Sequence, residues 1–153
     1  MNYLKELQQS DEFEYTEGAT RQEIKFVEEA LGVCLPEAYA KFLSECGSCN
    51  FGDTYINGIY KEEGNLSYPV VELTEQMREA LDLSDDFIVL NYEADEYLTL
   101  YKVSKTELLK DAKVYGAEIH SNKNGDFYLH KPTVLFSSFE EYFEDFLLLA
   151  EEE

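Results

Sequence analysis

The first strong periodicity in the chain follows Thr20, where Ile24, Val27 and Leu31 recur at i, i+3 and i+7 and Phe26 and Ala30 widen the stripe. Thr20-Arg21-Gln22-Glu23 is a capping box, in which hydroxyl and carboxylate satisfy each other's orphan backbone N–H groups, so a helix is predicted to start there. Gly32 stands where a left-handed C-cap is wanted. Pro36 suits a first helical turn, and Tyr39, Phe42, Leu43 and Cys46 follow at helical spacings until Gly47 ends the run. Two helices joined by the short connector Gly32 to Leu35 are therefore expected. Near the C-terminus Ser137-x-x-Glu140 and Ser138-x-x-Glu141 are both capping boxes. Phe139, Tyr142, Phe143, Phe146, Leu147 and Ala150 form the apolar face of the closing helix they start.

Between these helices the pattern changes to short runs of aromatic and branched residues: Thr54 to Tyr60, Phe87 to Tyr92, Tyr97 to Val103, Val114 to Ile119 and Phe127 to His130. Each is predicted to be a strand. Glu93 to Glu96 would turn the second into the third, and Asn122-Lys123-Asn124-Gly125 the fourth into the fifth, Asn-Gly being a strong hairpin signal. Leu73, Met77, Ala80 and Leu81 mark a short helix over Leu73 to Leu81, although Pro69, Val70 and Val71 blur its start. Consecutive hairpins imply a mainly antiparallel sheet packed by an N-terminal helix pair and a C-terminal helix. The fold class is α+β. With no repeat, no Pro/Gly/Ser-rich linker and three prolines, residues 1–153 are expected to form a single domain.

Composition adds an electrostatic constraint. The 153 residues carry 12 Lys+Arg against 33 Asp+Glu, a formal charge of -21, while 44% of positions are hydrophobic and 12 Tyr and 10 Phe are spread along the chain. Acidic disordered chains lack such aromatic content, and a chain of this length buries roughly 68–70% of its unfolded surface. The charge opposes direct nucleic-acid binding, which needs Lys and Arg at phosphates, and it disfavours anionic membranes. It favours a basic protein partner or, more plainly, solubility. The N-terminal residues show no secretory pattern and no run of 18 apolar residues occurs, so a cytoplasmic location is expected. The odd cysteine count, Cys34, Cys46 and Cys49, accords with free thiols.

Candidate chemistry is sparse. Cys46-Gly47-Ser48-Cys49 has the C-x-x-C spacing of thiol redox sites, but Cys46 falls at a predicted helix C-terminus beside Glu45, where dipole and charge both disfavour thiolate. A zinc site would need a second ligand pair, and His120 and His130 lack finger-type spacing. The segment from His120 fails as a calcium loop because its first position is His and its twelfth is Lys131. Neither a nucleophile elbow nor a Gly-rich phosphate loop is present, and two histidines identify no triad. Among 33 acidic residues, some pair falls at any chosen separation by chance, which gives a carboxylate dyad no specific support. No enzymatic activity and no cofactor are expected.

Glu28-Glu29-Ala30-Leu31-Gly32, then Leu35-Pro36, Tyr39, Phe42-Leu43 and Gly47 resemble the N-terminal signature of the SUKH superfamily, which includes yeast cell-wall-assembly regulator homologues. Phe87 to Leu90, Tyr97 to Tyr101, Val114 to Glu118 and Ser138-Phe139-Glu140-Glu141-Tyr142-Phe143 look like its later strands and closing helix, so the resemblance covers roughly residues 18–150. Departures are Gly47-Ser48 in place of the usual Gly-Gly and the lack of Trp; Cys46 and Cys49 lie outside the pattern.

The resemblance implies, for many bacterial members, an immunity protein (antitoxin) that silences a cognate toxin, often a nuclease, by stoichiometric occlusion. An intracellular scaffold or regulatory adaptor is the alternative, and a thiol redox protein using Cys46 and Cys49 the third. For the first, the candidate partner-binding residues come from the most acidic long stretch: Glu72, Glu75, Glu79, Asp82, Asp85, Asp86, Glu93, Asp95 and Glu96, with Tyr92 and Tyr97 as aromatic anchors. Glu75, Glu79 and Asp82 equally fit a solvated helix face, and the two tyrosines core or cross-strand packing. Lys102, Lys105, Lys110 and Lys113 are a basic counterpart available for pairing within the fold. The oligomeric state expected is a monomer or weak homodimer.

Overall fold

The computed structural model describes residues 1–151; residues 152–153 of the expected domain lie outside the described residues. A short helix α1 (Tyr3–Leu7) and a two-residue strand β1 (Glu14–Tyr15) precede the predicted helix pair, α2 (Arg21–Leu31) and α3 (Glu37–Cys46). The Thr20 capping box forms as expected: Thr20 Oγ1 accepts from the Glu23 N–H at 3.2 Å and Glu23 Oε1 from the Thr20 N–H at 2.8 Å. Gly32 closes α2 in the left-handed conformation, φ 67°.

The expected strand Thr54 to Tyr60 is broken in two. β2 (Cys49–Phe51) and β3 (Thr54–Ile56) form one hairpin, β4 (Tyr60–Glu62) and β5 (Asn65–Ser67) another. The intervening Asn57-Gly58-Ile59 leaves the pleat because it bonds elsewhere: the Asn57 N–H donates to the Leu90 carbonyl at 2.8 Å, and the Ile59 N–H to the Gly47 carbonyl at 3.0 Å. The next helix, α4 (Pro69–Leu81), starts four residues earlier than the periodicity indicated, because Val70 and Val71 are buried there and packing outweighs their β-branched propensity.

The central sheet runs β10-β8-β7-β6, all antiparallel, built from β6 (Phe87–Glu93), β7 (Tyr97–Lys102), β8 (Val114–Ser121) and β10 (Thr133–Phe136), with β9 (Phe127–Leu129) on β8 beyond β10. Helix α5 (Phe139–Leu147) follows, capped by Ser138, whose hydroxyl accepts from the Glu141 N–H at 3.1 Å. The structure is therefore α+β.

The sheet is covered on both faces because its inner strands are apolar at successive positions. Ile88, Leu90, Tyr101, Val103 and Val114 face α1, α2, α3 and α5, where Tyr3 and Phe143 pack with ring centres 4.9 Å apart and Tyr39 and Phe139 5.4 Å apart. Val89, Leu98, Leu100 and Ala117 point the other way, onto Met77 of α4. Asp111, unremarked in the sequence, ties the first layer together. Its carboxylate accepts from the Tyr101 hydroxyl at 2.7 Å and the Phe139 N–H at 2.8 Å, so it caps α5 as well.

β6 ends the sheet, so the Val89 N–H on its outer edge has no strand partner, and buried Thr74 accepts it at 3.0 Å. Thr74→Val removes that acceptor while keeping shape. It is expected to cost about 1–3 kcal/mol, the range for a buried donor left unpaired, whereas Thr74→Ser keeps the acceptor and loses only the buried methyl, about 1 kcal/mol. Urea titration of the three proteins measures the difference.

Candidate partner-binding surface

Helix α4 positions the first group of acidic candidates. Glu72, Glu75 and Glu79 fall at i, i+3 and i+7, the spacing of one helix face, and all three are exposed because Val70, Thr74 and Met77 occupy the opposite face and are buried. Arg78, the single basic residue of the stretch, does not neutralise them. Its guanidinium is folded inward, donating to the carbonyls of Leu31 and Asp85 at 3.0 Å each. Among the described residues none of the three carboxylates makes an ion pair.

Two clefts flank this face and share Gln76. One, of about 520 Å³, lies between the C-terminal half of α4, the β6–β7 turn and the β8–β9 hairpin. Met77, Ala80, Leu81, Ile119 and Phe127 line it, with Tyr92 and the carboxylates of Asp95 and Asp126 at its polar side. The other, of about 590 Å³, separates the start of α4 from the β2–β3 hairpin and is lined by Asp53, Tyr55, Tyr60 and Glu72, among others. Tyr55 joins the two: its hydroxyl accepts from the Tyr92 N–H and donates to the Tyr92 carbonyl, both at 3.2 Å. Burial, then the adjacent Asp95 carboxylate, raises the pKa of the Tyr92 phenol, so it stays protonated and available as a donor.

The structure separates the remaining candidates. Asp82 is the left-handed cap of α4, exposed at its end, φ 54°. Asp85 and Asp86 lie beyond the C-terminal end of α4, held by basic residues: Arg78 and Lys105 reach the Asp85 carboxylate at 3.8 and 3.2 Å, and Lys102 pairs with Asp86. Burial works against the Asp86 charge, but the Lys102 ammonium and the Ser84 hydroxyl outweigh it and hold the carboxyl below its usual range. The pairing expected of the lysines is thus seen at Lys102 and Lys105, and it takes Asp85 and Asp86 out of the uncompensated surface.

Glu93 and Tyr97 oppose each other in the β6–β7 register, one residue out of phase with the Tyr92 and Leu98 pair, and so lie on the sheet face away from α4. Tyr97 is a packing residue there. Its ring crosses Gly116, where a Cβ would sit 1.8 Å from the phenol oxygen. Glu96 holds the turn, its carbonyl accepting from the Ile119 N–H at 2.7 Å. The assembled surface therefore contains Glu72, Glu75, Glu79, Tyr92 and Asp95 from the candidates. It adds Asp53, Tyr55, Tyr60, Asp126 and Phe127, which no local pattern singled out.

Burial is the largest influence on the C-x-x-C thiols. Cys46 ends α3 with no exposure and its pKa is pushed up to about 12, the Glu45 charge adding to burial; Cys49 is likewise raised, by burial and by Cys46. Burial thus favours the thiol over the thiolate at both positions, against the nucleophile a redox function requires. In the native protein a chromogenic disulfide reagent at pH 8 is expected to label half-buried Cys34 alone, with Cys46 and Cys49 reacting only in denaturant. Fast labelling of all three would contradict this burial.

The SUKH_5 family model, described as SMI1-KNR4 cell-wall, matches residues 1–148. The chain belongs to the SUKH family. The match begins at residue 1, ahead of the segment that carries the resemblance, in accord with the packing of α1: Tyr3 and Leu7 are fully buried in the main core of this SUKH fold. No curated protein matches the sequence. Among the described residues of this SUKH protein no helix is long and apolar enough to cross a membrane.

Proposed function

We propose that this SUKH protein is a cytoplasmic immunity protein that binds a basic toxin domain, such as a nuclease, on the α4 face and neutralises it by stoichiometric occlusion, without turnover. The observation that carries the reading is the uncompensated row Glu72, Glu75 and Glu79 between two clefts with aromatic walls, in a SUKH-family chain of charge -21. Acidic side chains around aromatic-lined hollows accept Lys and Arg together with an apolar anchor. The long-range field accelerates encounter with a basic partner, and buried aromatic contacts slow its release. Occlusion needs no reacting group on the inhibitor.

The test is a tagged purification from the native host at low and moderate salt, with mass spectrometry of stoichiometric companions. A basic toxin domain supports the reading. The family description, which refers to the cell wall, favours the scaffold or adaptor as second reading. Recovery of an envelope assembly without a toxin, together with a phenotype on deletion of this gene alone, would establish that second role instead.

A further inference from the structure

The two outer edges of the central sheet are built differently. At β6 the edge is closed: Asn57 donates its N–H to the Leu90 carbonyl and its side-chain amide to the Val89 carbonyl, and Thr74 takes the Val89 N–H. At the other end β10 pairs with β8 and with no other strand among the described residues, so its second edge is open. Val134 is 51% and Leu135 44% exposed, and as neighbours in a strand they present apolar surface on both sides of the sheet. Natural edges are usually blunted by inward charges or proline. Here Lys131 and Pro132 precede β10, and its one irregularity, a bulge between Val134 and Phe136, leaves Thr133 and Val134 regular.

Charge identifies the occupant. Phe127 to Phe139 contains no Asp or Glu, the longest such run in a chain with 33 of them, and it carries Lys131. A basic protein is drawn to the carboxylates of α4 and gains nothing from this edge. A molecule that is itself strongly acidic meets the least repulsion here, and another copy of the same chain is such a molecule. A two-fold antiparallel pairing centred on Val134 would set Val134 against its own counterpart and Thr133 against the second copy's Leu135, residues that share one side of the sheet. It would place Lys131 opposite the second copy's Ser137, whose N–H donates to the Glu141 carboxylate in the first turn of α5.

We propose that the open β10 edge is a self-association surface, on which a second copy docks antiparallel to continue the central sheet across a two-fold axis. Neither Val134 nor Leu135 lines the clefts beside α4, and the proposal stands independently of the immunity reading.

Sedimentation equilibrium from low micromolar to several hundred micromolar protein, at low and at high sodium chloride, tests it. The expected result is a rise from 17.7 kDa to twice that mass, favoured by salt because screening relieves the repulsion between two chains of charge -21. Val134→Lys is expected to abolish the rise, and Lys131→Glu to weaken it about tenfold or more; thermal melts of the diluted variants confirm that both are folded. A monomer at every concentration and salt, or a dimer indifferent to both substitutions, would overturn the proposal.

Discussion

Gly58→Ala is expected to be among the most destabilising single-methyl changes in this protein. A Cβ at position 58 would lie 2.1 Å from the Gly47 carbonyl oxygen, a backbone atom held in place because it accepts from the Ile59 N–H at 3.0 Å. The Gly58 carbonyl is committed as well, accepting from Val70 at the start of α4 at 3.1 Å. Relief of the clash therefore has to move the end of α3 or the entry to α4. Overpacking of a well-filled core costs about 1–3 kcal/mol and sometimes more, and the rigid backbone on both sides places this site at the upper end. A loss of about 3 kcal/mol corresponds to a fall in melting temperature of about 6–12 °C for a chain of this size. Gly52→Ala is the control for the loss of a glycine without crowding, since nothing lies within 4 Å of its Cβ position, although its φ of 58° carries a smaller cost. Equal melting temperatures for Gly58→Ala and wild type would show that these backbones do not meet as described.

The second large effect is on association. Glu75→Lys with Glu79→Lys is expected to slow binding of the basic toxin about tenfold or more at low salt, the scale of electrostatic steering by a concentrated field, and the deficit should shrink as ionic strength rises. The double variant should melt within a few degrees of wild type, because both carboxylates are exposed and form no ion pair among the described residues. Glu107→Lys with Glu144→Lys changes the net charge equally but lies outside the clefts and α4. If that control slows association as much, net charge alone governs encounter and the α4 face has no special role. Stopped-flow or surface-plasmon association rates across a salt series distinguish the two.

Salt is expected to act in opposite directions on the two surfaces of the molecule. Toxin capture on α4 weakens as salt screens attraction, whereas self-association through β10 strengthens as salt screens repulsion. The signs follow from where the charge lies rather than from its total.

Much of the architecture was legible in the chain. The Thr20 capping box, the Gly32 cap, the helix ending at Gly47 and the Ser138 start of the last helix each depend on neighbours within four residues, and each is found in place. The strands from Phe87 to Ser121 followed from runs of aromatic and branched residues, and the first hairpin from the turn at Glu93 to Glu96. The break at Asn57-Gly58-Ile59 was not legible, because its cause is the edge of β6, more than thirty residues away in sequence. The same holds for Asp111, whose partners Tyr101 and Phe139 lie on other elements.

The acidic stretch shows the division most clearly. The sequence alone determined its composition, the place of Glu75 and Glu79 on one side of a helix, and thereby the sign of any partner it attracts. Only the tertiary structure decided which of its carboxylates remain free. Folding brings Lys102 and Lys105 to Asp86 and Asp85, turns Glu93 and Tyr97 to the far side of the sheet, and joins Tyr92 and Asp95 to α4 and to Tyr55, Asp126 and Phe127. Helix faces and caps are set by bonds that close within a turn, whereas charge compensation and cleft walls are set by contacts between segments far apart in the chain.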